Sequence, residues 1–363
     1  MARDAKPIIR SFRVRAVRVP MREPHRTASG VITESPLVLT DVATDTGVTG
    51  RSVVFTYTAA ALAPTAELIR NIGRMVIGDE LAPLEVDQKL SRRFRLLGPQ
   101  GLVGIALAAI DMALWDVLAR VQDVSLVRLL GGTEKPIRAY GAIGYDGVTG
   151  CADAAERWAR RGFTGVKAKI GYDSVHEDVA VIRAIRKAAG DTMAIMVDYN
   201  QCLTPAEAIE RLRVLDNEGL TWVEEPVLAH DYAGHALVAR AAETPIQCGE
   251  NWWGPLDMQH AIEAQASDLL MPDVMKIGGV TGWMRAAALA QVKGLRMSSH
   301  LWPEVSARLL CCTPTAHWLE YSDWWNPVLQ DPLRIENGMA VVDDAVGSGL
   351  EWNEAAIERF GNI

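Results

Sequence analysis

In two early stretches, "IIRSFRVRAVRVP" and "LVLTDVATDTGVTGRSVV", apolar and polar residues alternate, the pattern of strands with one buried face. Thr46-Gly47 divides the second stretch and supplies a hairpin turn. From about Ala59 to about Leu130 the apolar spacing becomes helical. The longest apolar run there, "GLVGIALAAIDMALWDVLARV", is interrupted by Asp111, Asp116 and Arg120. It predicts a buried or amphipathic helix, not a membrane span. Strands followed by helices predict an α+β domain over residues 1–132.

The rhythm changes after "GGTEKPI" (Gly131 to Ile137). Short strand patterns then alternate with helical ones: "IRAYGAIG", "GVKAKIG", "AIMVDYN", "LTWVEEP", "PIQCGEN", "LLMPDVM", "LRMSSHL" and "HWLEYS". Two helices announce their starts. Ser174 and Glu177 have the form of a capping box, and Thr204 and Glu207 repeat it with Pro205 at the first helical position. Eight such units predict an α/β barrel of the parallel (β/α)8 type over residues 133–325. The tail, residues 326–363, has no further βα rhythm and is expected to pack back on the first domain.

The strand ends carry the chemistry. In "GFTGVKAKIGY", Lys167 and Lys169 stand two apart and share one face of a strand. Two ammonium groups facing a barrel interior require compensation. Lys169 is followed by Asp198, Glu224, Glu250, Asp273, His300 and Glu320 at intervals of 29, 26, 26, 23, 27 and 20 residues, about one βα unit each. Groups at the C-terminal ends of barrel strands converge at one mouth. Asp198, Glu224 and Glu250 form a set of hard oxygen ligands that suits one Mg²⁺ per subunit, whereas zinc prefers nitrogen or sulfur. Adjacent strand residues face opposite ways, so the pattern leaves open which of Glu224 and Glu225 points inward. Like-charge repulsion from Lys167 is expected to lower the pKa of Lys169 and make it a general base. Asp273 can orient His300 and raise its basicity.

Composition narrows the partners. The chain of 363 residues is 49% hydrophobic and 23% charged, with net charge −8, which argues against nucleic acid or an anionic membrane. Five cysteines without a CxxC pair fit a reducing, cytoplasmic setting and no disulfide framework. "MARDAKPIIRSF" lacks the apolar core of a signal peptide.

The pieces "VKAKIG", "DYNQ", "WVEEP", "GENW", "PDVMKIGGVTGW", "SSHL" and "TPTAHWLE", with "DMALWD" and "VRLLGG" before them, closely resemble the mandelate racemase subgroup of the enolase superfamily. The resemblance covers nearly the whole chain. It implies an α+β capping domain over a modified barrel, with Mg²⁺ on Asp198, Glu224 and Glu250. It casts Lys169 and the His300–Asp273 pair as bases on opposite faces of the substrate α-carbon. Lys167 and a protonated Glu320 would hold the carboxylate as it becomes an enediolate, and Asn200 would touch a substrate oxygen. Relatives are commonly homo-oligomers. The implied partner is a small carboxylate, and the implied reaction is racemisation or epimerisation of a 2-hydroxy acid. The same framework permits dehydration of an acid sugar. A catalytically idle binding protein would not need Lys169, Asp273 and His300.

Several positions depart from mandelate racemase. The capping loop "MREPHRTASG" places His25 and Arg26 where aliphatic contacts are expected, Ala142 replaces a carboxylate-binding serine, and Ser322 replaces an apolar pocket residue. These changes point away from mandelate itself, toward a more polar or larger 2-hydroxy acid. Arg26 is a candidate partner for a second acidic group.

Overall fold

In the computed structural model, which describes residues 6–27 and 30–361, the alternating stretches form a three-stranded antiparallel sheet. Its strands are β1 (Ile9–Thr27), β2 (Gly30–Thr44) and β3 (Thr49–Phe55). Gly47, at φ +80°, supplies the left-handed residue of the turn between the last two. Helices α1 (Ala59–Gly73), α2 (Pro83–Arg93), α3 (Gly101–Val121) and the short α4 (Leu126–Leu129) complete this capping domain.

The long apolar run is α3, which lies against β2, β3 and α1 with Ile110, Ala113, Leu114 and Val117 buried. Contact with the sheet is close. A Cβ at Gly50 would sit 2.3 Å from the backbone nitrogen of Val117, so a side chain there would push α3 off the sheet. Asp116, which interrupts the run, is buried but satisfied. It accepts from the Arg51 nitrogen at 2.7 Å and from Arg120 Nε at 2.7 Å.

The second domain is a closed cylinder of eight parallel strands with alternating helices. In chain order these are β4 (Ile137–Ile143), α5 (Gly147–Arg160), β5 (Gly165–Lys169), α6 (Val175–Ala189), β6 (Ala194–Asp198) and α7 (Pro205–Leu215). Next come β7 (Trp222–Glu224), α8 (Tyr232–Ala241), β8 (Ile246–Cys248) and α9 (Pro255–Glu263). The last are β9 (Leu269–Leu270), α10 (Gly279–Lys293), β10 (Met297–Ser299), α11 (Pro303–Cys311) and β11 (Ala316–Tyr321). Pairing of β11 with β4 closes the barrel. Both capping boxes form, at Ser174–Glu177 and Thr204–Glu207.

Register sets the site. Lys169 lies opposite Asp198, and Asp198 lies opposite Glu224, so three strand ends present their groups at one level. Below them Tyr140, Met196, Trp222 and Trp318 fill the barrel interior. Asp273 and His300 form a further parallel bridge just past β9 and β10.

The tail touches both domains. The hairpin of β12 (Ile335–Glu336) and β13 (Met339–Ala340) adds to β4, while α12 (Glu354–Phe360) packs on β1. Trp352 Nε1 donates to Asp41 at 2.6 Å, which ties the tail to the capping sheet.

Candidate active site

Lys167 and Lys169 point into the barrel mouth. The buried Lys167 ammonium lies 2.7 Å from Glu224 Oε1, 3.0 Å from Glu320 Oε1 and 3.7 Å from Asp198 Oδ2. Lys169 donates to Asp198 Oδ2 in a tight ion pair. Carboxylates from β6, β7 and β11 therefore compensate both charges.

Asp198, Glu224 and Glu250 each offer one oxygen, and these oxygens lie within 4.8 Å of one another. Glu250 Oε2 is buried and makes no hydrogen bond to the described residues, although His300 Nε2 lies 3.1 Å away. Three converging carboxylates with such an oxygen fit a hard divalent cation. Glu224, not Glu225, joins this cluster. Its other oxygen accepts from Trp222 Nε1 at 3.3 Å. Glu225 takes a left-handed φ of +35° and turns to Asn251, whose Nδ2 also reaches Glu250 Oε1 at 3.2 Å.

On the other side of the cluster, His300 Nδ1 donates to Asp273 Oδ2 at 2.6 Å. Its Nε2 faces Glu250 and lies 3.8 Å from Glu320 Oε2. Burial opposes the charged imidazole, but Glu250 and Asp273 outweigh it and raise the pKa. The Leu301 nitrogen donates to Glu320 Oε2 at 3.0 Å.

Two electrostatic expectations differ from the balance set by the protein charges alone. Burial and Lys167 do push the Lys169 ammonium down, but Asp198 in direct contact wins and raises its pKa. Glu320 was expected to be protonated. Burial favours that form, yet Lys167 and His300 together hold its pKa below the usual carboxylate value. With the protein charges alone, Lys169 is therefore charged and Glu320 ionised.

The candidate specificity residues divide. Asn200, at φ +45°, donates its backbone and side-chain nitrogens to Asp198 at 2.7 and 3.3 Å. Its buried Oδ1 has no partner among the described residues. Ser322 is buried just past β11, and its Oγ likewise has none. Of the expected loop, residues 21–27 are the end of β1 and Gly30 begins β2, with a register break between Pro20 and His25, while Ala28 and Ser29 lie outside the described residues. His25 packs on Trp324, ring centroids 4.7 Å apart. Burial, with help from Lys169, pushes its pKa down to about 3, so the ring is neutral. Arg26 is exposed and pairs with Asp146 at 3.0 Å, so its guanidinium is already engaged. Ala142 lines a cavity of about 320 Å³ together with His25, Trp324 and the guanidinium-bearing Arg157 and Arg161.

Sequence reasoning missed three residues at the mouth. Lys276 Nζ donates to Asn251 Oδ1 at 2.7 Å, and the Tyr57 ring of the capping domain sits 4.8 Å from the same nitrogen. Burial and the charges of Asp273 and Glu250 push the Tyr57 phenol well up. Trp302 donates its indole N–H to Asp273. Lys276 follows Asp273 by three residues in "PDVMK", which was the available signal. Tyr57 and Trp302 had none.

The enolase C-terminal domain-like family matches residues 150–356, and the mandelate racemase/muconate lactonizing enzyme N-terminal domain matches residues 9–131. The chain belongs to the mandelate racemase/muconate lactonizing enzyme family of the enolase superfamily. Within this family it is similar to L-talarate/galactarate dehydratase of Salmonella typhimurium, 30% identical over 90% of this chain and 82% of the relative. It is 33% identical to D-galactarolactone cycloisomerase of Agrobacterium fabrum, over 82% and 85% of the two chains. Among solved structures, an enolase from Bradyrhizobium crystallised with magnesium and mandelic acid superposes with a TM-score of 0.94. It is 43% identical, with coverage of 99% of this chain and 100% of that one. These family members are a lyase, an isomerase and a mandelate-binding enolase.

Proposed function

We propose that the protein abstracts the α-proton of a 2-hydroxy carboxylate, through an enediolate, and returns a proton on the opposite face. The observation that carries this reading is the placement of Lys169 and His300 on two sides of the Asp198–Glu224–Glu250 cluster. Those three carboxylates would hold Mg²⁺, which when bound stabilises the negative charge that develops on the substrate carboxylate. Mandelic acid in the Bradyrhizobium relative supports a 2-hydroxy acid as the substrate class.

The residues divide the work. Lys167 supplies fixed positive charge beside the carboxylate, and its burial keeps that charge unscreened. Glu320, held by the Leu301 nitrogen, would donate a hydrogen bond to the enediolate once protonated. Lys169 would act as the base on one face, and because Asp198 in direct contact favours its charged form, a looser hold by that carboxylate would favour the neutral amine. His300 serves the other face through Nε2, with Nδ1 fixed by Asp273.

Dehydration of an acid sugar is the second reading. It is favoured by the unpartnered oxygens of Asn200 and Ser322, which suit a hydroxyl-rich ligand, and by relatives that act on acid sugars. There His300 would protonate a leaving β-hydroxyl. Incubation in D₂O with mandelate and a panel of acid sugars separates the two. Deuterium at the α-carbon with loss of optical rotation supports racemisation, and a 2-keto product supports dehydration. The proposal includes a homo-oligomer in a cytoplasmic setting. The five cysteines, all free, fit that setting, and light scattering after size exclusion measures the assembly.

A further inference from the structure

We infer that Trp302 is a positioning residue that fixes the Asp273–His300 pair by holding the carboxylate plane of Asp273. The inference takes from the proposed function only that His300 acts as a base. Its test reads the imidazole directly and needs no turnover.

The indole nitrogen lies 3.0 Å from Oδ1 and 3.1 Å from Oδ2 of Asp273, so its N–H is shared between both oxygens. Oδ1 already accepts from the backbone nitrogens of Met275 at 2.6 Å and Lys276 at 3.3 Å. Those donors hold Oδ1, whereas Oδ2 has only the His300 ring and the indole N–H among the described residues. A donor shared between the two oxygens resists rotation about the Cβ–Cγ bond that would carry Oδ2 away from the ring. It leaves Oδ2 at 2.6 Å from Nδ1 of His300. With the Nδ1 proton committed there, Nε2 is presented to the mouth.

The backbone makes this contact at a conformational cost. Leu301 and Trp302 follow His300 at φ +47° and +56°, two consecutive left-handed residues that are not glycine. Such conformations persist where surrounding structure imposes them, and they cluster at functional sites. Both turned residues serve the site: the Leu301 nitrogen goes to Glu320 and the Trp302 indole to Asp273.

The ring is itself held. Trp302 stacks on Trp325, with centroids 4.9 Å apart and planes at 20°. Trp325 Nε1 donates to Glu304 Oε2 at 3.0 Å, and all three side chains are buried. Packing alone would be met by phenylalanine, so the indole N–H is the feature to remove.

Trp302→Phe keeps the aromatic ring and deletes the donor. The readout is ¹H–¹⁵N NMR of histidine-labelled protein with MgCl₂ alone as the added ligand. His300→Asn assigns the His300 signals among the seven histidines. In the wild type, the Nδ1 proton bonded to Asp273 should resonate far downfield. In Trp302→Phe that resonance should be lost or moved upfield, while Mg²⁺ affinity stays unchanged. A crystal structure of the variant should show the Asp273 carboxylate rotated. If Trp302→Phe does not fold, 3-benzothienylalanine at position 302, which replaces the N–H by sulfur in the same ring shape, decides the matter. An unaltered His300 resonance and carboxylate plane in a folded variant would overturn the inference.

Discussion

Lys167 and Glu224 form a buried ion pair, 2.7 Å apart, inside the carboxylate cluster. Removing one partner of such a pair strands the other charge, which costs about 3–5 kcal/mol. Lys167→Met should therefore lower the melting temperature in EDTA, well beyond the effect of Met at the more exposed Lys187. Mg²⁺ should recover part of the loss, because a cation on the cluster neutralises the stranded carboxylate. A melting temperature equal to wild type in EDTA would remove Lys167 from its compensating role.

Mg²⁺ should stabilise the wild-type protein by about 2.7 kcal/mol at a hundredfold excess over its dissociation constant. Asp198→Asn and Glu250→Gln should each abolish most of that gain, since each deletes one oxygen charge from the cluster. Glu225→Gln should keep most of it, because Glu225 faces Asn251. Titration calorimetry measures the affinities directly. Equal losses at Glu225 and Glu250 would mean that the ligand set is different.

The cluster could be read from sequence because one group per βα unit is a periodic signal, and barrel geometry turns that period into convergence at the mouth. The capping boxes at Ser174 and Thr204 were legible because their chemistry is complete within four residues. Glu224 and Glu225 could not be told apart, since the left-handed φ at Glu225 breaks the alternation on which facing is judged. The sign of the Lys169 shift was lost for another reason. It depends on how Asp198 and Lys167 balance in space, and sequence spacing gives no distances. Arg26 meets Asp146 across the domain boundary, a contact that no local pattern encodes.

Lys169→Ala and His300→Asn should fail on opposite faces. A positioned general base contributes roughly 10²–10⁴-fold in rate. Each variant should lose about that factor in α-proton exchange from one enantiomer while it retains exchange from the other. Deuterium incorporation, followed separately for the two enantiomers, resolves this. Uniform loss in both variants would mean that the two residues act on one face.

His235 supplies a pH signature away from the site. It is buried beside Cys248, with Nδ1 and Sγ 3.4 Å apart, and burial lowers its pKa to about 4. The unfolded chain binds this proton near the ordinary histidine value, so between that pH and about 4 it holds more protons than the folded chain. Stability from the neutral ring is thus present above pH ~6.5 and falls as pH drops toward 4, by up to about 3 kcal/mol. His235→Asn should flatten this slope in urea melts across the window. An unchanged slope would place the acid sensitivity elsewhere.

Ser322 links stability to selectivity. Its buried hydroxyl has no partner among the described residues, and a buried unsatisfied polar group costs about 1–3 kcal/mol. Ser322 stands two residues after Glu320, just past the end of β11. Ser322→Ala should raise the melting temperature, because it deletes the unpaired oxygen and leaves only a small void. The same change should lower kcat/KM for hydroxyl-rich acids more than for mandelate, which has fewer groups to hydrogen-bond. Thermal melts and paired kinetics on the two substrate types check both halves. A more stable variant with an unchanged substrate ratio would mark Ser322 as a packing residue and move selectivity to His25 and the cavity beside Ala142.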